Sequence, residues 1–161
     1  MSSEHNKEVV LVLDNIRSVL NVGAIFRTAD AVGVSKVYLT GVTPTPIDRF
    51  GRDRKDLAKT ALGAEKNIAW EYVPTMEECI AQLKKEGYFL IAVEQDKTSV
   101  DYKEVKVKFP CAFVLGNEVN GLSKEVLKMV AVVAEIKMLG KKESLNVSVA
   151  TGIVLFRVLE I

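Results

Sequence analysis

The chain alternates between two hydrophobic periods. Residues 8–13 (EVVLVL) are almost continuously apolar and β-branched, and the run stops at Asp14. That pattern predicts a buried strand. From Asn21 the period changes: Val22, Ile25, Phe26, Ala29 and Val32 recur at helical spacing and define one helix face. Asn21 is the expected N-cap of this helix and Gly33 its expected stop. Further strands are predicted at 36–40 (KVYLT), 68–73 (IAWEYV), 88–94 (YFLIAVE), 111–115 (CAFVL) and 132–136 (VVAEI). Thr75 with Glu78 makes a capping box for a helix running to about Glu86 and closed by Gly87. Another helix begins at Ser123, and the last runs from about Leu145 to the C-terminus. Two stretches fit neither period: 43–67, with Pro44 and Pro46, and the polar 95–109, expected to hold a short strand or turn. Strands alternating with helices predict an α/β fold with a mainly parallel sheet flanked by helices.

The last helix departs from simple amphipathicity. Leu145, Val147, Val149, Ile153, Val154, Leu155, Phe156, Val158 and Leu159 leave it no wide polar face. Such a helix must be buried on more than one side. The sheet covers one side, and a partner subunit is the expected cover for the other. The competing reading is a helix covered by the chain's own loops.

Composition narrows the chemistry more by exclusion than by suggestion. With 161 residues, 48% apolar and 27% charged, the chain fits one globular domain. The net charge of +1 neither favours nor excludes nucleic acid, because a local basic patch is compatible with it. Cys79 and Cys111 belong to no CxxC pair and read as buried structural thiols. The single histidine, His5, stands in a polar N-terminal tail, so a histidine-based triad or a metal site is not expected. Neither a signal-peptide pattern nor a membrane-length apolar run is present, and a cytoplasmic location is the default expectation.

Three blocks join a strand-like run to a helix through Gly, Asn and Ser: NVGAIFRTAD (21–30), GNEVNGLS (116–123) and SLNVSVATGIVLF (144–156). Junctions of this kind hold ligands in α/β proteins. The glycines at 116 and 121 have phosphate-loop spacing, but Leu122 stands where a Walker loop needs lysine. The dinucleotide fingerprint fails as well, since Glu118 replaces its second glycine. Arg27 lies roughly opposite the apolar stripe of its helix and faces solvent, a ligand or a second subunit. Arginine is suited to phosphate recognition. Helix-start N–H groups near Ser144 suit an anion. Taken singly, each block reads equally well as a capped turn or a solvated charge.

Taken in order, the blocks resemble the signature motifs of the SpoU/TrmH family of RNA ribose methyltransferases, within the SPOUT superfamily. The matching wording is N-x-G-x-I-x-R-T-A early, L-G-N-E-x-x-G-L-S in the middle and M-x-G-x-x-x-S-L-N-V-S-V-A near the end. The resemblance spans essentially the whole chain and implies a single SpoU-type methyltransferase domain over 1–161, of which the polar residues 1–7 are expected to be a flexible tail. It implies no separate RNA-binding domain. It also implies a parallel α/β sheet with a C-terminal trefoil knot, an exception among folds.

The implied activity is methyl transfer from S-adenosyl-L-methionine (AdoMet) to a ribose 2′-hydroxyl of tRNA or rRNA. Loops of the knot would cradle AdoMet largely through backbone groups, at Leu115, Gly116, Glu118, Ile136, Met138, Ser144 and Leu145. Arg27, Asn21, Glu118, Asn146 and Ser144 become the implied catalytic set. Arg27 would serve as base or as phosphate anchor; a guanidinium pKa above about 12 favours the anchor. Asn21 and Asn146 would orient Arg27 or the ribose. Activated AdoMet needs no metal, so none is expected. The family works as a homodimer with its active sites near the interface. Candidate RNA contacts are Arg49, Arg52, Arg54 and Lys55, together with Lys141 and Lys142. For the 49–59 cluster a salt-bridged, solvated surface is an equal reading. Two alternatives remain open: a catalytically inactive RNA-binding or assembly protein on the same fold, and a small-molecule methyltransferase or nucleotide-binding enzyme using the same pocket.

Overall fold

The computed structural model describes residues 7–161. His5 and all but the last residue of the expected tail lie outside the described residues. Seven parallel strands form one sheet in the order β3-β2-β1-β6-β4-β7-β5. They are β1 (Val9–Asp14), β2 (Lys36–Thr40), β3 (Ala69–Val73), β4 (Phe89–Val93), β5 (Val100–Asp101), β6 (Cys111–Leu115) and β7 (Val132–Glu135). The strands read from hydrophobic runs are recovered with shifts of at most one residue at each end. The chain first winds outward from β1 through β2 to β3, then returns to build the other half. That reversal makes β1 and β6 neighbours, and a parallel sheet offers its ligand crevice at such a switch point.

Strand alternation divides the core. Val9, Leu11 and Leu13 of β1 point into one apolar layer, while Val10 and Val12 point into the other. The first layer is covered by α1 (Val19–Val32), α2 (Lys55–Ala61), α3 (Ala64–Asn67) and α6 (Val147–Val158). The second is covered by α4 (Met76–Lys85) and α5 (Lys124–Met129). Cys79 and Cys111 are fully buried in these layers, and burial pushes both thiols up to about 12, so they are inert packing groups.

Ahead of α6, three α-helix starts carry side-chain caps: Ser18 accepts from the Asn21 N–H, Thr75 from Glu78 and Ser123 from Val126. The first corrects the expectation at Asn21, which lies inside α1 as the third helical residue rather than capping it. Gly33, in the left-handed region at φ 79°, closes α1 as expected.

The segment 43–67, unassigned from its pattern, holds α2 and α3. Helix α2 packs tightly on α1 because residue 23 is glycine: a Cβ there would collide with Thr60 Oγ1 and the Leu57 carbonyl. Thr60 Oγ1 also donates to the Leu20 carbonyl at 2.9 Å, tying the two helices. The glycine of NVGAIF is therefore a packing residue.

Candidate active site

The carboxyl ends of β4, β6 and β7 open into a cleft of about 610 Å³. One wall is the loop 116–122 that follows β6, and the other is the segment 136–146 that precedes α6. Leu115, Ile136, Met138 and Leu145 supply apolar lining, and Gly116 and Ser144 line it as well. All seven expected cofactor positions thus border one cavity.

Gly116 is required by close approach. A Cβ on it would stand 2.7 Å from the Gly121 carbonyl carbon and 2.8 Å from the Leu122 nitrogen. The loop closes on itself through Asn117, whose Oδ1 accepts from the Val119 and Asn120 N–H groups at 2.8 and 2.9 Å. Asn117 Nδ2 donates to the Asn15 carbonyl at 2.8 Å and fastens the loop to the end of β1.

Two residues unnoticed in the sequence brace the cleft. Glu94 and Gln95 follow β4 directly. Glu94 Oε2 accepts from the Leu122 N–H at 3.0 Å and so holds the first wall. Gln95 Nε2 donates to the Glu143 carbonyl at 2.7 Å and holds the second. Adjacent side chains at one strand end therefore set the spacing of two loops that are remote in sequence. A strand-terminal Glu-Gln carries no local signal of this; only the placement of β4 between β6 and β7 reveals it.

Three of the expected catalytic residues form a relay. Asn146 Oδ1 caps α6, accepting from the Ser148 and Val149 N–H groups at 2.9 and 3.4 Å. This orients the amide, and its Nδ2 donates to Asn21 Oδ1 at 3.2 Å. Asn21 Nδ2 in turn donates to Glu118 Oε1 at 3.5 Å. The Glu118 carboxylate also accepts from the Arg17 and Ser18 N–H groups, both at 3.4 Å, at the amino end of α1. Each of these contacts to Glu118 is long, but together they place a carboxylate where helix N–H groups favour one. Asn146 is the cap of α6, and Ser144, two residues before it, is an exposed residue of the cleft wall.

Arg27 is not brought to this relay within the chain. It lies six residues beyond Asn21, roughly 9 Å along the helix axis. It is exposed and makes no ion pair with any described residue. Its neighbours in the same helical row are Leu20, 55% exposed, and Ala24. Alongside, α6 exposes Val149, Ile153 and Phe156 at i, i+4 and i+7. The two-sided apolar character of α6 is thus real: Val154, Leu155 and Val158 are buried and the second stripe is open.

The 49–59 cluster is partly charge-paired. Arg52 Nε bonds Asp48 at 3.1 Å, and Arg54 bonds Asp56 through two nitrogens at 3.2 and 2.8 Å. The side-chain bond from Arg54 holds the Asp56 carboxyl below its ordinary range. Arg49 instead lies over the Phe50 ring, and Lys55 is exposed at the start of α2. Lys141 and Lys142 are exposed on the second cleft wall but do not line the cavity.

A cleft at the carboxyl ends of parallel strands, walled by the GNEVNG and SLNVS segments, is the arrangement that the ordered motifs require. The family model described as SpoU rRNA Methylase matches residues 8–156. The chain belongs to this SpoU family. It is 33% identical over 153 residues to a tRNA (guanosine(18)-2'-O)-methyltransferase of Aquifex aeolicus, covering 95% of this chain and 69% of that one. It is 30% identical to the enzyme of the same name from Escherichia coli K12, covering 97% of this chain and 65% of that one. Among solved structures, an AdoMet-bound rRNA methyltransferase from Sinorhizobium meliloti superposes with a TM-score of 0.87 at 30% identity, covering 96% and 57% of the two chains. The A. aeolicus TrmH/SpoU tRNA modifying enzyme gives 0.81 at 32% identity, covering 96% and 75%. The chain therefore spans 57% to 75% of the length of these relatives. Among the described residues, none of the helices is long and apolar enough to cross a membrane, and no group of three or more His, Cys, Asp or Glu could hold a metal.

Proposed function

We propose that this SpoU-family chain transfers a methyl group from AdoMet to a ribose 2′-hydroxyl of tRNA or rRNA, and that it does so as a homodimer. The observation that carries the reading is the charge of the cleft. Glu94, Glu118, Glu135 and Glu143 line it and no lysine or arginine does. Such a wall repels phosphates and attracts a ligand bearing sulfonium and ammonium charges. That disfavours a nucleotide-binding enzyme and fits AdoMet, whose adenine and methylene chain suit Leu115, Ile136, Met138 and Leu145. The trefoil knot of the family would form around these same C-terminal segments.

When bound, AdoMet supplies the activated methyl group. The protein's part is to position the hydroxyl and manage its proton. Asn21 and Asn146, locked by Glu118 and by the α6 cap, present amide groups at the mouth of the cleft. Arg27 anchors the phosphate beside the target ribose, and that phosphate is able to accept the departing proton. Because Arg27 lies on the row with Leu20, beside the open α6 stripe, a second copy packed on these stripes would bring it toward the partner's cleft. Ser144 and the backbone of 115–118 complete the cofactor side, while Lys141 and Lys142 flank the mouth as RNA contacts.

The test combines calorimetric titration of AdoMet with tritiated-AdoMet labelling of total RNA from a deletion strain, followed by nucleotide mapping. Saturable AdoMet binding and label in a 2′-O-methylated nucleotide are expected. Arg27→Ala should abolish labelling while still binding AdoMet. An inactive scaffold would give no labelling in the wild type, and near-normal turnover by Arg27→Ala would remove that residue from the mechanism.

A further inference from the structure

The acidic cleft raises a question of its own: it repels the backbone of the RNA it is proposed to modify, so phosphates and bases must be held elsewhere. A second cavity, of about 600 Å³, lies at the other half of the same sheet edge. Three arginines, Arg49, Arg52 and Arg54, line it against a single aspartate, Asp48. Its remaining surface is rich in flat rings. Phe50 is 65% exposed and Tyr72 47%. Trp70 and Tyr72 alternate along β3 and therefore stand on one face of the sheet. The guanidiniums of Arg49 and Arg52 lie 4.7 and 4.9 Å from the centre of the Phe50 ring.

The tip carrying Phe50 is built rather than loose. Asp48 Oδ1 accepts from the Phe50 and Arg52 N–H groups at 2.8 and 3.0 Å. The Asp48 N–H donates to the Arg52 carbonyl at 2.8 Å, and Ile47 bridges to Asp53. Phe50 is thus presented outward by a closed turn. An exposed ring with two guanidiniums beside it is poorly suited to solvent and well suited to a stacked base, since every base offers a π-face and arginine planes stack on it.

Continuity with the cofactor cleft favours RNA over a protein partner. The 116–122 loop bonds Asn15 through Asn117, and Asn15 Oδ1 accepts from the Val42 N–H at 3.0 Å. Val42 leads directly into Thr43, Pro44 and Thr45, which line the second cavity. Three strand spacings separate the two sites, about 14 Å along the edge. A second copy has its own apolar surface on α6 and the start of α1. We infer that the Phe50–Trp70–Tyr72 shelf, with Arg49 and Arg52, is a stacking site for an unpaired nucleotide of the RNA substrate, a few positions from the methylated ribose. This rests on the proposed RNA substrate.

Trp70 is the sole tryptophan of the chain and lines both the shelf and the adjoining cavity beside Ala58 and Lys66, so its fluorescence reports on this part of the surface and the Phe50 variants tie the signal to the shelf. The probes are single-stranded oligo(A) and oligo(U) RNA and an RNA duplex of equal length. Single strands should quench Trp70 saturably and more strongly than the duplex. Phe50→Ala should weaken single-strand binding about tenfold, the scale of one base–aromatic stack, with AdoMet affinity unchanged. Phe50→Leu, which keeps apolar bulk but no ring, should behave like Phe50→Ala. The inference is overturned if gel shifts show single strands binding while Trp70 emission stays unmoved and Phe50→Ala binds normally. Full affinity in Phe50→Leu would overturn it too, since simple apolar docking would then suffice. A Trp70 shift driven by protein concentration without RNA would assign the shelf to a second copy instead. In each of these cases methylation by the wild type would leave the proposed activity standing; absence of AdoMet binding and of labelling would remove both.

Discussion

Asn146 performs two tasks that one substitution separates. Its Oδ1 caps α6, and its Nδ2 donates to Asn21. Asn146→Ala loses both. Removal of an N-cap costs about 1 kcal/mol. In a domain of this size that lowers the melting temperature by roughly 3 °C. Asn146→Asp keeps a capping oxygen, and its negative charge suits the helix start. It has no proton to give Asn21 Oδ1, however, and sets a second carboxylate one side chain away from Glu118. That bond is solvent-exposed, so its loss strands no buried acceptor and barely touches folding; as the contact that orients the Asn21 amide it is worth about 1–1.5 kcal/mol. The Asp variant should therefore melt like the wild type yet fall by about tenfold in kcat/KM. Differential scanning fluorimetry and tritium transfer to RNA read the two effects separately. An Asp variant with full activity would refute the relay, and one that melts like the Ala variant would refute the capping role.

Other substitutions probe the walls. Gly116→Ala forces the Gly121–Leu122 backbone outward; overpacking of this kind costs about 1–3 kcal/mol, and calorimetry should show AdoMet affinity falling about tenfold. Glu94→Ala should also weaken AdoMet binding several-fold with kcat at saturation retained, whereas Glu94→Gln, whose amide oxygen still accepts from Leu122, should lose only the smaller share owed to one of the four cleft carboxylates. Equal losses in both Glu94 variants would point to the charge rather than to the brace. Cys79 and Cys111, buried with thiols pushed up to about 12, should resist Ellman's reagent at pH 8 until denaturant unfolds the chain; fast labelling of the native protein would contradict this packing.

The strands were legible because continuous β-branched runs have no other stable home, as at CAFVL and KVYLT. Helix α2 was hidden because only Leu57 and Ala61 are buried along it and Arg54 provides no side-chain cap. The start of α1 was misplaced because Ser18 and Asn21 are both capping residues, and the apolar stripe begins only at Val22. The ordered motifs located the cleft, since its walls are continuous segments. Glu94 and Gln95 were invisible because their partners are 28 and 48 residues away and depend on strand order alone. Arg27 was legible as a candidate, and its six-residue spacing from Asn21 already sets it roughly 9 Å further along the helix axis; that no described residue forms an ion pair with it was not expressed by the motif.

The cap of α6 has a thermodynamic consequence. The helix that ends in the relay at Asn146 also bears the open Val149–Ile153–Phe156 stripe. In a dimer built on that stripe, one rigid element belongs to the subunit contact and to the wall of the cofactor cleft at once. Binding at either place then orders the other, and linkage makes the effect reciprocal. Cofactor occupancy would tighten subunit association by the same factor by which association tightens cofactor binding.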